Sequence, residues 1–76
     1  MAEYKVQLNS VEKVKEFVHI VSGFEKDIFI KSGKYVVNGK SILGIFSLNV
    51  SEVMILEIEN PKESELKQID KFIIKK

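Results

Sequence analysis

The sequence predicts an α+β fold: a four-stranded antiparallel sheet that carries its helices on one face. Three observations predict it. Four short segments alternate apolar and polar residues, and a glycine turn joins two of them directly. Two longer segments repeat apolar residues at helical spacing behind capping residues. Helices are then too few to cover both faces of the sheet, so the second face should stay wet.

Residues 3–8, "EYKVQL", put Tyr4, Val6 and Leu8 on one side and Glu3, Lys5 and Gln7 on the other, as in a half-buried strand. "NSVEKVKEFVHIVSGF" follows. Asn9 is a good N-cap, and Glu12 three residues on completes the pattern of a capping box. Val11, Val14, Val18 and Val21, with Phe17, form the apolar stripe, and Gly23 supplies the stop. Valines are mediocre helix formers, so this helix depends on tertiary packing. Residues 27–32, "DIFIKS", alternate again. The turn Ser32-Gly33-Lys34 returns the chain as "KYVVN", and Asn38-Gly39 signals a further turn. Residues 52–59, "EVMILEIE", form the fourth strand, with Met54, Leu56 and Ile58 facing the core. The last segment reads as a helix capped by Asn60, with Pro61 at its first position and Glu63 behind it. Its stripe is Leu66, Ile69 and Ile73 with Phe72, and Lys75 and Lys76 suit the negative end of a helix dipole.

Residues 39–50, "GKSILGIFSLNV", fit a strand poorly, because their apolar positions do not alternate and Gly44 sits in the middle. A short helix fits better. Ser41 is an N-cap type, and Ile42, Ile45 and Phe46 fall at i, i+3 and i+4. Leu43 then points elsewhere. A short helix on a sheet cannot bury every side, so some of Ile42, Leu43 and Phe46 should form an exposed patch. Pattern alone leaves closure of the core and a docking surface equally open.

Composition narrows the function. A chain of 76 residues is one domain, with a core that supplies a net stability of about 3–5 kcal/mol. It has no cysteine, so neither disulfides nor thiolate chemistry are available. The net charge of +1, with acids and bases interspersed, argues against nucleic acid as a partner. "MAEYKVQL" lacks the apolar core of a signal peptide, and no apolar run is long enough to cross a bilayer. A soluble cytoplasmic domain is expected, without cofactor or metal. No phosphate-binding glycine loop, metal-ligand cluster or nucleophile–base pair is visible, so an enzyme is not expected. Glu12, Glu16, Asp27, Glu57 and Glu59 stand where solvated faces are expected.

"FVHIVSGFEKDIFIKSGKYVVNGKSILGIFSLNV", residues 17–50, resembles the corresponding part of HPr, the histidine-containing phosphocarrier family of the bacterial sugar phosphotransferase system. Family members carry a "DI" strand, a glycine-containing hairpin and a stretch of the type "GK-x-V-N-x-KSI-x-G-(V/I)-x-SL", which "SGKYVVNGKSILGIFSLNV" follows almost position by position, with one residue more between its GK and its VN. The resemblance implies an open-faced β-sandwich of order β-α-β-β-α-β-α. In the family the serine of "KSI" caps the second helix and is phosphorylated in many members by a regulatory kinase. That position is Ser41, whose plain alternative is a simple cap. The resemblance likewise implies that Ile42, Leu43 and Phe46 meet partner proteins, either enzymes of the phosphotransferase system or the kinase. The chain itself is expected to be a monomer or weak homodimer.

The family signature "G-(I/L/F)-H-A-R-P-A" is not kept. Aligned back from Phe17, its histidine falls on Ser10, its arginine on Glu12 and its proline on Lys13. A serine phosphate is a stable ester and a dead end for onward transfer, and Glu12 repels a phosphoryl group where an arginine would hold it. The one histidine, His19, lies nine residues past Ser10, about 13 Å along a helix. The expected function is a regulatory or partner-binding paralogue that does not transfer phosphate. The alternatives are a phosphocarrier using an unconventional residue, such as His19, and an unrelated small ligand-binding domain.

Overall fold

The computed structural model describes residues 1–75. The elements run β1 (Ala2–Val6), α1 (Val11–Val21), β2 (Ile28–Ser32), β3 (Tyr35–Asn38), α2 (Ile42–Phe46), β4 (Met54–Ile58) and α3 (Glu63–Ile69), with a 3-10 turn over Asp70–Phe72. The strands form one antiparallel sheet in the order β1-β4-β2-β3. This is the predicted α+β open-faced sandwich.

Period-2 alternation places the core. Val6, Ile28, Ile30, Met54, Leu56 and Ile58 point inward and are at most 1% exposed. Val14, Phe17 and Val21 of α1, Ile45 of α2 and Ile69 of α3 close over them, each fully buried. The Phe17 and Phe72 rings meet edge to face, with centroids 5.5 Å apart. The other sheet face carries Glu3, Lys5, Phe29, Lys31, Val36, Ile55 and Glu57, none of them buried. Glu3 and Glu57 stand directly opposite on β1 and β4, a destabilising like-charge pair. The Lys31 ammonium offsets it, at 3.2 Å from Glu57 and 3.7 Å from Glu3. Its hydrogen bond to Glu57 and the field of both carboxylates raise its pKa.

Several boundaries differ from the sequence expectation. The cap of α1 is Ser10 rather than Asn9: its hydroxyl accepts from Lys13 N at 3.1 Å. The cause lies upstream. Leu8 is locked in the core and its carbonyl accepts from Ser10 N at 2.8 Å, so the chain turns one residue later. Glu12 therefore stands at the second helical position and closes no capping box. Val11, expected in the stripe, begins the helix and is 52% exposed.

At α3, Asn60 does not cap. It takes a left-handed backbone conformation (φ 40°) that ends the β4 turn, and the cap is Lys62. Lysine has no side-chain acceptor, so only the return half of a capping box forms: the Glu65 carboxylate accepts from Lys62 N at 2.9 Å. Lys26, reaching over from the α1–β2 loop, binds the same carboxylate at 2.7 Å and the Asn60 carbonyl at 2.7 Å. Glu65 is 8% exposed, and these donors, the Lys26 ammonium first, hold its carboxyl below the usual range.

The expected C-terminal helix stops at Ile69, and Leu66 in its stripe is only half buried. Beyond the 3-10 turn the chain pairs with β1: Ile73 bridges Val6, Gln7 N donates to the Phe72 carbonyl at 3.0 Å, and Ile74 N donates to the Lys5 carbonyl at 2.8 Å. The free edge of β1 outcompetes another helical turn. Lys75 reaches back to Asp70 at 2.7 Å and does not extend a helix end, and Lys76 lies outside the described residues.

Candidate docking surface around the second helix

The turn into α2 is set by close packing. Gly39 N donates to the Ile28 carbonyl at 2.7 Å, and a Cβ on Gly39 would stand 2.6 Å from the Ile28 Cγ2. Only glycine fits there. The Asn38 side chain accepts from Lys40 N at 2.8 Å, forming an Asx turn, and the Asn38 carbonyl accepts from Ser41 N at 3.0 Å. Lys40 Nζ donates to the Phe24 carbonyl at 2.5 Å, tying the turn to the loop after α1.

Ser41 caps α2 as the sequence predicts. It is half buried, and its hydroxyl accepts from Gly44 N at 3.0 Å. Gly44 faces β3, where a Cβ would stand 3.4 Å from the Val37 Cβ and 3.1 Å from Ser41 Oγ. At the far end Ser47 donates from its hydroxyl to the Gly44 carbonyl at 2.5 Å. A helix of five residues is marginal alone. Here serines hold both ends and Ile45, fully buried, pins the middle.

The rest of α2 turns outward. Ile42 is 38% exposed, Leu43 84% and Phe46 36%. The structure thus brings the three expected interface residues together on one short, capped helix with Ser41 at its head. Ser10 and Glu12 lie on a different element, at the start of α1, and α1 packs against α2. Ser10 is half buried with its oxygen engaged by the Lys13 N–H, and Glu12 is exposed. His19 is exposed in the last turn of α1, at the opposite end from Ser10. Val11, which periodicity put in the buried stripe, and Tyr35 (68% exposed) also present apolar surface. For Val11 the available signal was its place directly after a serine able to cap. Chemically, the surface offers apolar contact and a serine hydroxyl at each end of the helix, Ser41 and Ser47. Among the described residues no cluster of His, Asp and Glu is placed to hold a metal.

Comparison with known proteins agrees with the sequence resemblance. The family described as "PTS HPr component phosphorylation site" matches residues 11–73, starting one residue past Ser10. A search of curated proteins finds no match. Two solved structures are similar over nearly the whole chain. HPr-C-His from Thermoanaerobacter tengcongensis is 29% identical, with a TM-score of 0.77, covering 93% of this chain and 89% of that one. The phosphocarrier protein HPr from Bacillus anthracis strain Ames is 26% identical, with a TM-score of 0.74, covering 96% of each chain. With the fold, the capped second helix and a family match over most of its length in agreement, this chain belongs to the HPr family of phosphotransferase-system components.

Proposed function

We propose that this chain is a docking member of the HPr family that does not carry phosphate on histidine. Residues 1–76 act as one HPr-like domain in the cytoplasm. The domain meets phosphotransferase-system enzymes or a regulatory kinase through Ile42, Leu43 and Phe46, with Ser41 as the modification site. The observation that carries this reading is Leu43, 84% exposed beside a fully buried Ile45 on the same short helix. A leucine so exposed contributes little to folding, and together with its two neighbours it forms an apolar patch of the kind that marks interaction sites.

Loss of phosphotransfer is supported by the residues at the start of α1. Ser10 stands at the cap where the family resemblance places the histidine, and its ester would not pass phosphate on. Glu12 adds negative charge two residues past the cap. His19 sits in the last turn of α1, at the far end from the N-terminus of that helix, where N–H groups would receive a phosphoryl group. Phosphorylation of Ser41 would add about two negative charges at the edge of the patch, switching off apolar docking while the cap still accepts from Gly44 N.

Two incubations test the reading. With phosphoenolpyruvate and the first enzyme of the phosphotransferase system, no acid-labile phosphate is expected; such phosphate on His19 would overturn the loss of carrier function. With ATP and HPr kinase, acid-stable phosphate on Ser41 is expected. Its absence removes the regulatory role, and undiminished binding of these two enzymes by Leu43→Glu removes the docking role.

A further inference from the structure

Asn38-Gly39 is a turn signal in the sequence, and the same pair carries a chemistry that the docking surface does not use. An asparagine side chain can be attacked by the backbone nitrogen of the residue after it. Glycine in that place leaves the attack open, because no Cβ stands in the way. The chain has four asparagines, followed by Ser10, Gly39, Val50 and Pro61. Proline has no N–H to lose, and valine crowds the attack with a branched Cβ. In the unfolded chain Asn38 is therefore the most reactive of the four.

The fold restrains both reacting groups. Asn38 ends β3, where it pairs with Phe29 of β2. The Gly39 N–H, which must lose its proton, belongs to a buried residue and donates to the Ile28 carbonyl at 2.7 Å. The Asn38 side chain is drawn the other way along the chain, its Oδ1 accepting from Lys40 N at 2.8 Å. Gly39 has no room to swing, since even a Cβ there would stand 2.6 Å from Ile28 Cγ2 and 3.1 Å from the Ile28 carbonyl oxygen.

We propose that Asn38-Gly39 is a latent deamidation site that the fold keeps closed, and that its reaction in the open chain irreversibly damages the turn into α2. The Gly39 nitrogen loses its proton and bonds to Asn38 Cγ. The bond from Cγ to the side-chain nitrogen breaks, and that nitrogen leaves as ammonia. The cyclic imide then takes up one water. Opening at one carbonyl gives aspartate. Opening at the other gives isoaspartate, whose main chain runs through the former side chain and is one carbon longer. Aspartate keeps an oxygen for Lys40 N. Isoaspartate inserts a carbon directly before the glycine that cannot shift. It also turns the Asn38 carbonyl, which accepts from Ser41 N at 3.0 Å, into a side group. Ser41 then loses its seat at the head of α2, so the site records molecules that have opened.

Attack waits for opening, so the folded chain reacts more slowly by the ratio of closed to open molecules. For global opening of so small a core that ratio is about a hundred to several thousand. The test follows the full chain in mildly alkaline buffer, folded and in concentrated urea, by peptide mapping and isoaspartyl methyltransferase labelling. In urea, Asn38 should convert ahead of Asn9, Asn49 and Asn60. The folded chain should convert about a hundredfold more slowly or better. Ile45→Ala, which removes the anchor of α2, should speed conversion without urea by about tenfold or more, whether α2 alone or the whole chain opens. The isoaspartyl product, separated and refolded, should melt at least about 10 °C below the parent, and Asn38→Asp within about 3 °C of it. Less than about tenfold protection by the fold, another asparagine converting first in urea, no acceleration in Ile45→Ala, or an isoaspartyl product that melts like the parent each overturns the proposal. None of these readouts depends on docking by α2.

Discussion

Lys26→Met tests the joint between the α1–β2 loop and the start of α3. In the native chain the Lys26 ammonium lies 2.7 Å from Glu65 Oε1, with both side chains only 11% exposed, and it also holds the Asn60 carbonyl at 2.7 Å. Methionine keeps the aliphatic stem and removes both bonds. It leaves a nearly buried carboxylate with one remaining donor, Lys62 N. Breaking a fully buried pair costs about 3–5 kcal/mol, whereas a single charged hydrogen bond contributes about 1.5–3. Residual water contact places this site near the overlap, at about 2–3 kcal/mol, most of the net stability of so small a core. The melting temperature should fall by about 10–20 °C. The chain has no tryptophan, so unfolding in urea is best followed by far-UV circular dichroism. The pH dependence has a definite sign. The folded pKa of Glu65 is depressed, so its contribution is present above the unfolded value of about 4.3 and is lost as pH falls through the folded value. The difference between native and Lys26→Met should therefore shrink in acid, leaving only the Asn60 bond. A cost below about 0.5 kcal/mol near neutral pH, as for an exposed pair, or a cost unchanged in acid, refutes the reasoning.

Ile45→Ala should cost about 3 kcal/mol, because it removes the one buried anchor of α2, while Leu43→Ala should stay within about 0.5 kcal/mol; urea titrations of the two variants check the contrast. Gly39→Ala should cost about 1–3 kcal/mol, since its Cβ would stand 2.6 Å from Ile28 Cγ2, and thermal melts with the combined Gly39→Ala/Ile28→Val variant should show part of that cost relieved.

Much of the fold was legible because the strand period is strict. Met54, Leu56 and Ile58 alternate without exception, and all three are buried. The short helix was legible from Ser41 and the i, i+3, i+4 set, and simple geometry required that some of Ile42, Leu43 and Phe46 be left outside. The boundaries were not legible where a distant contact decides them. Asn9 and Ser10 are both capping residues, and burial of Leu8 selects the second. Asn60, Pro61 and Glu63 form a strong local start signal, but a lysine 39 positions before Glu65 in sequence moves the helix start beyond it. Ile73 follows the helical pattern locally, yet the unpaired edge of β1, at the other end of the chain, recruits it together with Ile74. Local pattern reports local preference, and each of these outcomes is a preference overridden by tertiary pairing.

The start of α1 offers the sharpest test of what the chain has lost. Phosphoryl transfer through HPr needs a nucleophilic nitrogen at a helix start and a partner surface that brings the donor enzyme to it. If only the nitrogen is missing, replacing the residues at the family's histidine and arginine positions should restore phosphorylation. Ser10→His with Glu12→Arg puts an imidazole at the cap and exchanges a repelling carboxylate for a guanidinium. The variant loses the bond from Lys13 N to the Ser10 hydroxyl, a cost of about 1 kcal/mol, which leaves the protein folded at room temperature. Incubated with phosphoenolpyruvate and the first enzyme of the system, it should gain acid-labile phosphate on residue 10, while the parent gains none. Adding Leu43→Glu to the same variant should abolish the gain by removing the docking contact. A folded double variant that binds the enzyme yet stays unphosphorylated would mean that Ser10 does not occupy the histidine position.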